Sequence, residues 1–277
     1  TLFRSLTLVT MIAFAGNSVL CRMALKHTTI DAATFTSIRL VSGPVVLGLI
    51  VRFAPAGRAG AGNWWSALAL FVYAAGFSLA YISLSAATGA LLLFGSVQAT
   101  MIGRGIWQGE RLARLQWLGL VLALAGLVGL MLPGLAAPPL LGAALMVLAG
   151  AAWGVYSLRG RGAGDPTLVT AGNFWRAAVM ALVLSVVMQA NMSWDAEGVA
   201  YAVASGVVTS GLGYALWYSV LPSLKATQAA TIQLSVPVIA ALGGVALLGE
   251  VMAEQFFLAS VATLGGIALF IWGKRAT

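Results

Sequence analysis

Charged side chains are scarce in this chain. Of its 277 residues only 8% are Asp, Glu, Lys or Arg, whereas 61% are hydrophobic. Soluble proteins carry about 25% charged and roughly 45–50% apolar residues. So few ionic groups cannot cover a water-soluble globule of this length, and we therefore expect most of the chain to lie in lipid.

Cysteine and histidine are almost absent. Cys21 is the single cysteine and His27 the single histidine, so the chain has no internal disulfide and no Cys/His metal site. No Gly-x-x-x-x-Gly-Lys-Ser/Thr segment, the P-loop that binds ATP phosphates, occurs either, so we do not expect ATP to be the energy source. We therefore predict no metal, no cofactor, no catalytic residues and no ATPase subunit.

Long apolar runs take the place of charge. A helix that crosses a bilayer needs about 20 apolar residues. The runs predict an all-α polytopic membrane protein with ten transmembrane helices, because a membrane β-barrel would show short alternating segments instead. The predicted spans are residues 6–25, 33–53, 64–84, 88–108, 113–132, 140–158, 168–190, 199–220, 226–247 and 255–273.

The basic residues lie mostly on one side of the predicted spans. Ten Lys and Arg fall on the side of the N-terminus, and two, Arg22 and Lys26, fall on the other. The positive-inside rule then places both termini in the cytoplasm. The net charge of +8 thus reflects anchoring beside lipid rather than nucleic-acid binding. Ala13-Phe14-Ala15 resembles a signal-peptide cleavage site, but the apolar run continues to Leu25, so we expect a retained span.

The two halves of the sequence resemble each other. Residues 83–126 align without a gap on residues 223–266, which places Gly109-Glu110 on Gly249-Glu250. Each half contains five predicted spans, so the second copy enters the membrane upside down. We predict two inverted five-helix repeats, residues 1–132 and 140–277, around a central cavity. Inverted repeats are typical of secondary transporters, which expose one site to two sides in turn.

Several motifs together carry a family resemblance. A Gly-Glu pair closes spans 4 and 9, an arginine lies in the second span of each half, and Trp153-Gly154 lies in span 6. These features resemble the drug/metabolite transporter superfamily, its EamA-like ten-helix exporters, and within them the bacterial aromatic amino acid exporters. Phe14-Ala15-Gly16-Asn17 departs slightly from the Trp-Gly-Asn pattern of the family. The resemblance implies a cavity lined by spans 1, 3, 4, 6, 8 and 9, with spans 5 and 10 outside it.

Aromatic side chains are the first candidates for substrate binding. Those of the third span are spaced i, i+4, i+8 and share one helix face. A tyrosine hydroxyl in mid-membrane needs a partner, which favours an inward face. The alternatives are a core or lipid-facing stripe, and residues of the interfacial belt. The candidates are Tyr73, Phe77 and Tyr81 in span 3, Trp153 and Tyr156 in span 6, and Tyr214 in span 8.

Three amides and one proline are further candidates. Asn17, Gln98 and Gln233 lie in spans 1, 4 and 9, where an amide must be hydrogen-bonded to protein or hydrated. They are candidates for substrate binding, or alternatively for hydrogen bonds between helices. Pro237 removes the helical partner of the Gln233 carbonyl, so we predict a hinge there and a carbonyl free for a substrate ammonium. The alternative is that Ser235 or another side chain satisfies this carbonyl.

Three arginines lie within apolar spans, where charge is costly. Arg104 and Arg176 can extend towards the cytoplasmic face. Arg39 lies nearer the opposite face, where its partner is either Asp31 or a substrate carboxylate. We favour a structural role for Arg39.

Two glutamates close predicted spans at opposite faces. Glu110 ends span 4 and Glu250 ends span 9. We predict that they are gate residues, which hold helix ends in place through partners such as Arg111 or Arg114 and do not bind substrate.

These patterns predict a secondary transporter that exports small amphipathic metabolites, foremost aromatic and other amino acids, by alternating access. Its partners are the solute and the lipid bilayer, and we expect a monomer or weak dimer. All seven carboxylates lie at connections or span ends, so we expect the solute gradient to drive transport. The alternative within the superfamily is a carrier of nucleotide sugars, phosphorylated metabolites or drugs; phosphate would need several cationic groups in the cavity. A membrane-embedded enzyme is the alternative of another class.

Overall fold

The computed structural model describes residues 2–53, 60–109, 111–131, 137–160, 163–220 and 232–273. These residues form helices and no strand, which confirms the predicted all-α polytopic fold. The helices are α1 (Leu2–His27), α2 (Ala32–Arg52), α3 (Trp64–Tyr81), α4 (Ala86–Trp107), α5 (Arg114–Met131), α6 (Leu140–Gly160), α7 (Pro166–Val187), α8 (residues 196–220), α9 (Ser235–Leu248) and α10 (Glu254–Gly273).

Helix α8 changes its winding in the middle. It begins as an α-helix over Ala196–Ala204, continues as a π-helix over Ser205–Leu212, and ends as an α-helix over Gly213–Val220. A π-helix is rare and frequently occurs at functional sites, because its wider turn redirects the side chains.

Within the described residues, eight helical segments are long and apolar enough to cross a membrane. The other two apolar helices, Arg114–Leu130 and Ser235–Leu248, are shorter. The N-terminal part of predicted span 9, residues 226–231, lies outside the described residues.

Polar residues begin the helices where the sequence leaves the apolar runs. Asp31, Asn63, Ser85, Asp165 and Asp195 each accept a hydrogen bond from a backbone N–H in the first turn of the following helix. Such N-caps satisfy donors that have no partner within the helix. The N-caps fix the residue at which each of these helices begins, whereas an apolar run alone leaves the start residue uncertain by several positions.

The helices pack in pairs that link the two halves of the chain. The pairs α3–α6 and α1–α8 are in contact, as are α4–α6 and α1–α9, and α2–α8 and α3–α7. Exchanging the first five helices with the last five leaves this set of pairs unchanged. Helices α5 and α10 pack on each other and reach the rest of the bundle mainly through α4, as expected for peripheral helices.

The bundle has two ends, which we name by their contacts. At the first end, where α3 and α7 begin, Arg159 donates to Asn63 Oδ1 at 3.2 Å and Arg176 donates to the Ala61 carbonyl at 2.6 Å. At the far end α1 stops and α8 begins. There Thr29 donates from its hydroxyl to Asp195 at 2.7 Å.

The carboxylate of Asp195, at the far end, is held in its charged form. The backbone N–H of Gly198 and the hydrogen bonds from Thr29 lower the pKa of Asp195 to about 2. Asp195 therefore ties the loop after α1 to the start of α8 throughout the neutral and mildly acidic range.

Candidate substrate-binding site

Aromatic rings from five helices meet in the middle of the bundle. Trp153 of α6 is at the centre of this group: its ring stacks on Tyr73 of α3 at 5.4 Å and meets Phe94 of α4 edge-on at 5.3 Å. Phe14 of α1 contacts the same indole at 6.1 Å between ring centroids and Tyr214 of α8 at 5.7 Å. Offset and edge-on pairs at such distances are favourable. We name this set of rings the aromatic cluster.

Close helix packing brings the aromatic cluster together. A Cβ added at Gly150 of α6 would lie 2.6 Å from both the Leu93 carbonyl oxygen and the Ser96 Cβ of α4. Small residues at helix contacts allow membrane helices to approach closely. The glycine one turn before Trp153 therefore lets α4 and α6 present Phe94 and Trp153 to each other.

A chain of polar groups runs beside the aromatic cluster. The Asn17 carbonyl oxygen accepts hydrogen bonds from Ser205 at 2.7 Å and from Thr209 at 3.1 Å, both on the π-helix of α8. The Asn17 amide nitrogen donates to the Tyr73 hydroxyl at 3.3 Å. The same hydroxyl accepts from Arg39 Nη2 at 2.9 Å. Helices α1, α2, α3 and α8 are thus joined by buried hydrogen bonds.

Arg39 is buried at the centre of this network, with 1% of its surface exposed. Its Nε donates to Ser210 Oγ at 3.3 Å, and the guanidinium lies 5.2 Å from the Tyr73 ring centroid and 5.0 Å from that of Phe77. Its Nη1 has no hydrogen-bond partner in the described part of the chain. Asp31, the acid considered above, caps α2 and accepts from Ser193 instead.

These groups enclose a cavity with a volume of about 10 Å³, roughly the space of one water molecule. The site is therefore nearly closed in this conformation, and a solute must separate the side chains to enter. The cavity is lined by Phe14, Asn17, Ser18, Arg39, Tyr73, Phe77, Leu93, Phe94, Trp153, Thr209, Ser210 and Tyr214.

Comparison with known proteins identifies the family. Residues 140–272 match the model of the EamA-like transporter family. The chain is 55% identical to an uncharacterized protein of Pseudomonas aeruginosa over 96% of its own length and 93% of that protein. This chain belongs to the EamA-like transporter family. The membership confirms the resemblance to the drug/metabolite transporter superfamily.

Two further likenesses agree with this assignment. The chain is 31% identical to the threonine/homoserine exporter RhtA of Salmonella typhimurium, over 45% of this chain and 43% of the exporter. A protein of known crystal structure shares the fold with a TM-score of 0.69 and 18% identity, over 99% of both chains. The EamA family and the exporter indicate a multi-pass membrane transporter rather than an enzyme.

Five of the nine substrate-binding candidates in this EamA-like protein line the cavity. These are Asn17, Tyr73, Phe77, Trp153 and Tyr214. The other four lie elsewhere. Tyr81 is near the far end, where its hydroxyl donates to the Ala86 carbonyl at 3.4 Å. Gln98 and Tyr156 are buried away from the cavity lining, and Gln233 is half-buried just before α9.

The cavity also contains residues that the sequence analysis did not select. Phe14, Phe94, Thr209 and Ser210 are such residues, and serine, threonine and phenylalanine are too common in apolar helices to be selected from sequence. Arg39 had a signal of its own, a charge within an apolar run. The structure places it in the cavity lining without the acidic partner Asp31 that we considered for it.

Glu250 joins three helices at the far end. Its carboxylate accepts two hydrogen bonds from the Ala86 backbone N–H, at 2.9 and 3.1 Å, and pairs with Arg22 Nε at 3.5 Å. Arg22 also donates to the carbonyl of Tyr81 at 2.8 Å, at the end of α3. We name these contacts the far-end clasp. Its cation is Arg22, not the Arg111 or Arg114 named above as examples.

Two further gate predictions concern Glu110 and Pro237. Glu110 lies outside the described residues. Pro237 is buried in the first turn of α9, directly after the helix is interrupted at Leu234. The Ser235 hydroxyl donates to the Ile232 carbonyl at 2.7 Å, not to that of Gln233. The hinge at Pro237 stays a prediction.

Among the described residues, no group of three or more His, Cys, Asp or Glu side chains could hold a metal ion.

Proposed function

We propose that this EamA-family protein is a secondary transporter that exports small amphipathic metabolites, foremost aromatic and other amino acids, by alternating access. It works in a bacterial inner membrane with both termini in the cytoplasm, as a monomer or weak dimer. The observation that carries this proposal is the aromatic cluster beside buried amide, hydroxyl and guanidinium groups at mid-bundle.

The chemistry of the cavity supports an amphipathic solute. The rings of Phe14, Tyr73, Phe94 and Trp153 offer apolar and π surface, where an aromatic contact contributes about 0.5–1.5 kcal/mol beyond area burial. The polar side is formed by Asn17, Arg39 and the hydroxyls of α8. A solute with an apolar body and a polar head fits both sides. The similarity to the threonine/homoserine exporter RhtA supports amino acids.

The packing supports alternating access. Six helix pairs change places with each other when the two halves are exchanged, as expected for two inverted repeats, residues 1–132 and 140–277. These are α3–α6 with α1–α8, α4–α6 with α1–α9, and α2–α8 with α3–α7. In this conformation the far-end clasp joins α1, α3, α4 and the end of α9, and the cavity is nearly closed. Opening at the far end must separate these helices, since the solute is far larger than the cavity.

The proposal is tested with purified protein in liposomes. Counterflow of labelled phenylalanine and threonine is measured beside a nucleotide sugar, a phosphorylated sugar and a cationic drug. We expect amino acid counterflow that persists without a pH gradient, because no carboxylate lines the cavity in the described structure. Phosphosugar exchange with no amino acid transport would contradict the proposal.

A matched pair of tryptophan variants links transport to the site. Trp153→Ala removes the central ring and should lower phenylalanine transport by about tenfold, from lost ring contact and apolar burial. Trp117→Ala removes an exposed indole from peripheral helix α5 and should leave the rate unchanged. Equal losses in both variants would point to a general folding effect.

A further inference from the structure

The buried guanidinium of Arg39 has a charge that the described protein does not balance. Its hydrogen-bond acceptors are the hydroxyls of Ser210 and Tyr73, both neutral. The ion pair found among the described residues, Arg22–Glu250, lies at the far end. A buried charge without a counter-ion is strongly unfavourable, and an arginine side chain stays protonated in proteins. The site is therefore poised to gain stability from an anion.

The geometry of Arg39 selects the place where this anion binds. Nε and Nη2 are already held by Ser210 and Tyr73, which fix the plane of the guanidinium. Nη1 has no hydrogen-bond partner within the described ranges, and Arg39 lines the same cavity as the aromatic cluster. An acceptor group of the solute would therefore meet Nη1, with the apolar part of the solute against the rings.

A carboxylate fits this position better than a phosphate. A guanidinium pairs with carboxylates and phosphates alike, so the number of cationic groups in the cavity decides between them. A phosphate would need more cationic groups, and Arg39 is the single cationic residue of the cavity lining as described. A monoanionic group therefore matches the charge of the site.

The cavity provides no matching group for an ammonium. No Asp or Glu belongs to the cavity lining that the structure describes. The Asn17 carbonyl oxygen already accepts from both Ser205 and Thr209. Ring faces remain for a cation, but they attract it less strongly than a carboxylate would. The amino group of an amino acid is thus tolerated without being required.

We propose that Arg39 binds the carboxylate of the transported solute, and that the solute class is carboxylic acids with an aromatic or apolar body, with or without an amino group. This inference rests on the proposed function and narrows the class of solute that the same site takes. Arg39 then recognises the solute by its carboxylate, and the ammonium group of an amino acid is not needed for binding.

Three probes that differ in a single group test the inference on the unmodified protein. The probes are phenylalanine, 3-phenylpropionate, which lacks the amino group, and 2-phenylethylamine, which lacks the carboxylate. Their competition against labelled phenylalanine counterflow and their thermal stabilisation of the detergent-solubilised protein are measured. We expect 3-phenylpropionate to compete within about threefold of phenylalanine, and 2-phenylethylamine to compete at least about 30-fold more weakly, the loss expected for a missing buried charge partner.

Variants of Arg39 provide the second test. Arg39→Gln should weaken stabilisation by 3-phenylpropionate at least about 30-fold, and Arg39→Lys should be intermediate because it keeps the charge and loses the planar fork. Arg104→Gln removes the same charge from an exposed position of α4 and serves as the control. Size-exclusion profiles establish which variants are folded. If Arg39→Gln is unfolded, the three probes on the unmodified protein still decide the question.

The outcomes separate this inference from the proposed function. Transport of phenylalanine with equal competition by the amine and the acid would overturn the role of Arg39 and leave the transporter intact. A folded Arg39→Gln variant with unchanged affinity for 3-phenylpropionate would do the same. Failure of the unmodified protein to transport or bind phenylalanine, threonine and 3-phenylpropionate would overturn both.

Discussion

At the scale of single residues, the hydroxyl of Tyr73 links the aromatic and polar sides of the site. Its ring stacks on Trp153, and its oxygen accepts from Asn17 and Arg39. Buried donors that lose their acceptor are costly, and the cost is largest where the donor is charged. Tyr73 therefore sets the position of the guanidinium in addition to contributing a ring face.

We predict that Tyr73→Phe lowers the stability of the protein while keeping the ring. The free energy of unfolding should fall by about 1–2 kcal/mol, because two buried donors lose one acceptor and interhelical hydrogen bonds in membranes contribute at most about this much. Thermal unfolding in detergent measures the change. Tyr201→Phe is the control, since its exposed hydroxyl donates to Glu197 one turn earlier on the same helix. A smaller loss for Tyr73→Phe than for Tyr201→Phe would contradict the assignment.

At the scale of helices, the site depends on two local features. The π-helix of α8 presents Ser205, Thr209 and Ser210 towards α1 and α2. The close contact of α4 with α6 at Gly150 brings Phe94 and Trp153 together. Both features place side chains by backbone geometry, so changes of small residues there should disturb the site.

We predict that Gly150→Ala destabilises the bundle. Its new methyl group would lie 2.6 Å from the Leu93 carbonyl oxygen, so α4 and α6 must separate, at a cost of about 1–3 kcal/mol for an overpacked position. The unfolding temperature in detergent should fall. Gly103→Ala in α4 is the matched control, because an added Cβ there meets nothing within 4 Å. Equal unfolding temperatures for the two variants would show that the helices accommodate the methyl group.

At the scale of the whole molecule, the protein is held in a nearly closed conformation. The cavity measures about 10 Å³, and the far-end clasp joins helices that the proposed mechanism must separate. Ala86 and Leu248 pack together with Val19 next to this clasp, where α4 begins and α9 ends. A covalent link between these two positions should prevent opening at the far end.

We predict that cross-linking Ala86→Cys to Leu248→Cys, in a Cys21→Ala background, stops transport reversibly. The rate should fall below about a tenth of that of the reduced protein, since gating motions are required in every cycle. Counterflow before and after a reducible thiol cross-linker measures the effect. Ala123→Cys with Ile267→Cys links the peripheral helices α5 and α10 and should leave transport intact. Full activity of the cross-linked Ala86–Leu248 protein would exclude solute passage between α4 and α9.

The sequence by itself determined the class of the molecule and much of its helical order. Low charge and long apolar runs place the chain in lipid, where no water is present to hydrogen-bond the backbone. The backbone must then satisfy its own hydrogen bonds, so the transmembrane helices follow directly from composition. The same patterns selected Asn17, Tyr73 and Tyr214 as candidates, because amides and aromatic hydroxyls in apolar helices need partners. Phe77 follows from the helix face that it shares with Tyr73, and Trp153 from its place among the aromatic residues of span 6. The structure brings these five candidates to one cavity, and their binding of substrate stays a prediction. The predicted starts of spans 2 and 3, at residues 33 and 64, lie within one residue of the observed helix starts at Ala32 and Trp64.

The tertiary structure alone decided which of these residues meet. Gln98 and Tyr81 satisfy the same sequence criteria as Asn17 and Tyr73, yet lie outside the cavity. The position of Arg39 depends on a π-helix in α8 and on the Tyr73 hydroxyl in α3, contacts that join residues far apart in sequence. Helical periodicity specifies the face of one helix, whereas the rotation of that face towards a cavity depends on how all neighbouring helices pack.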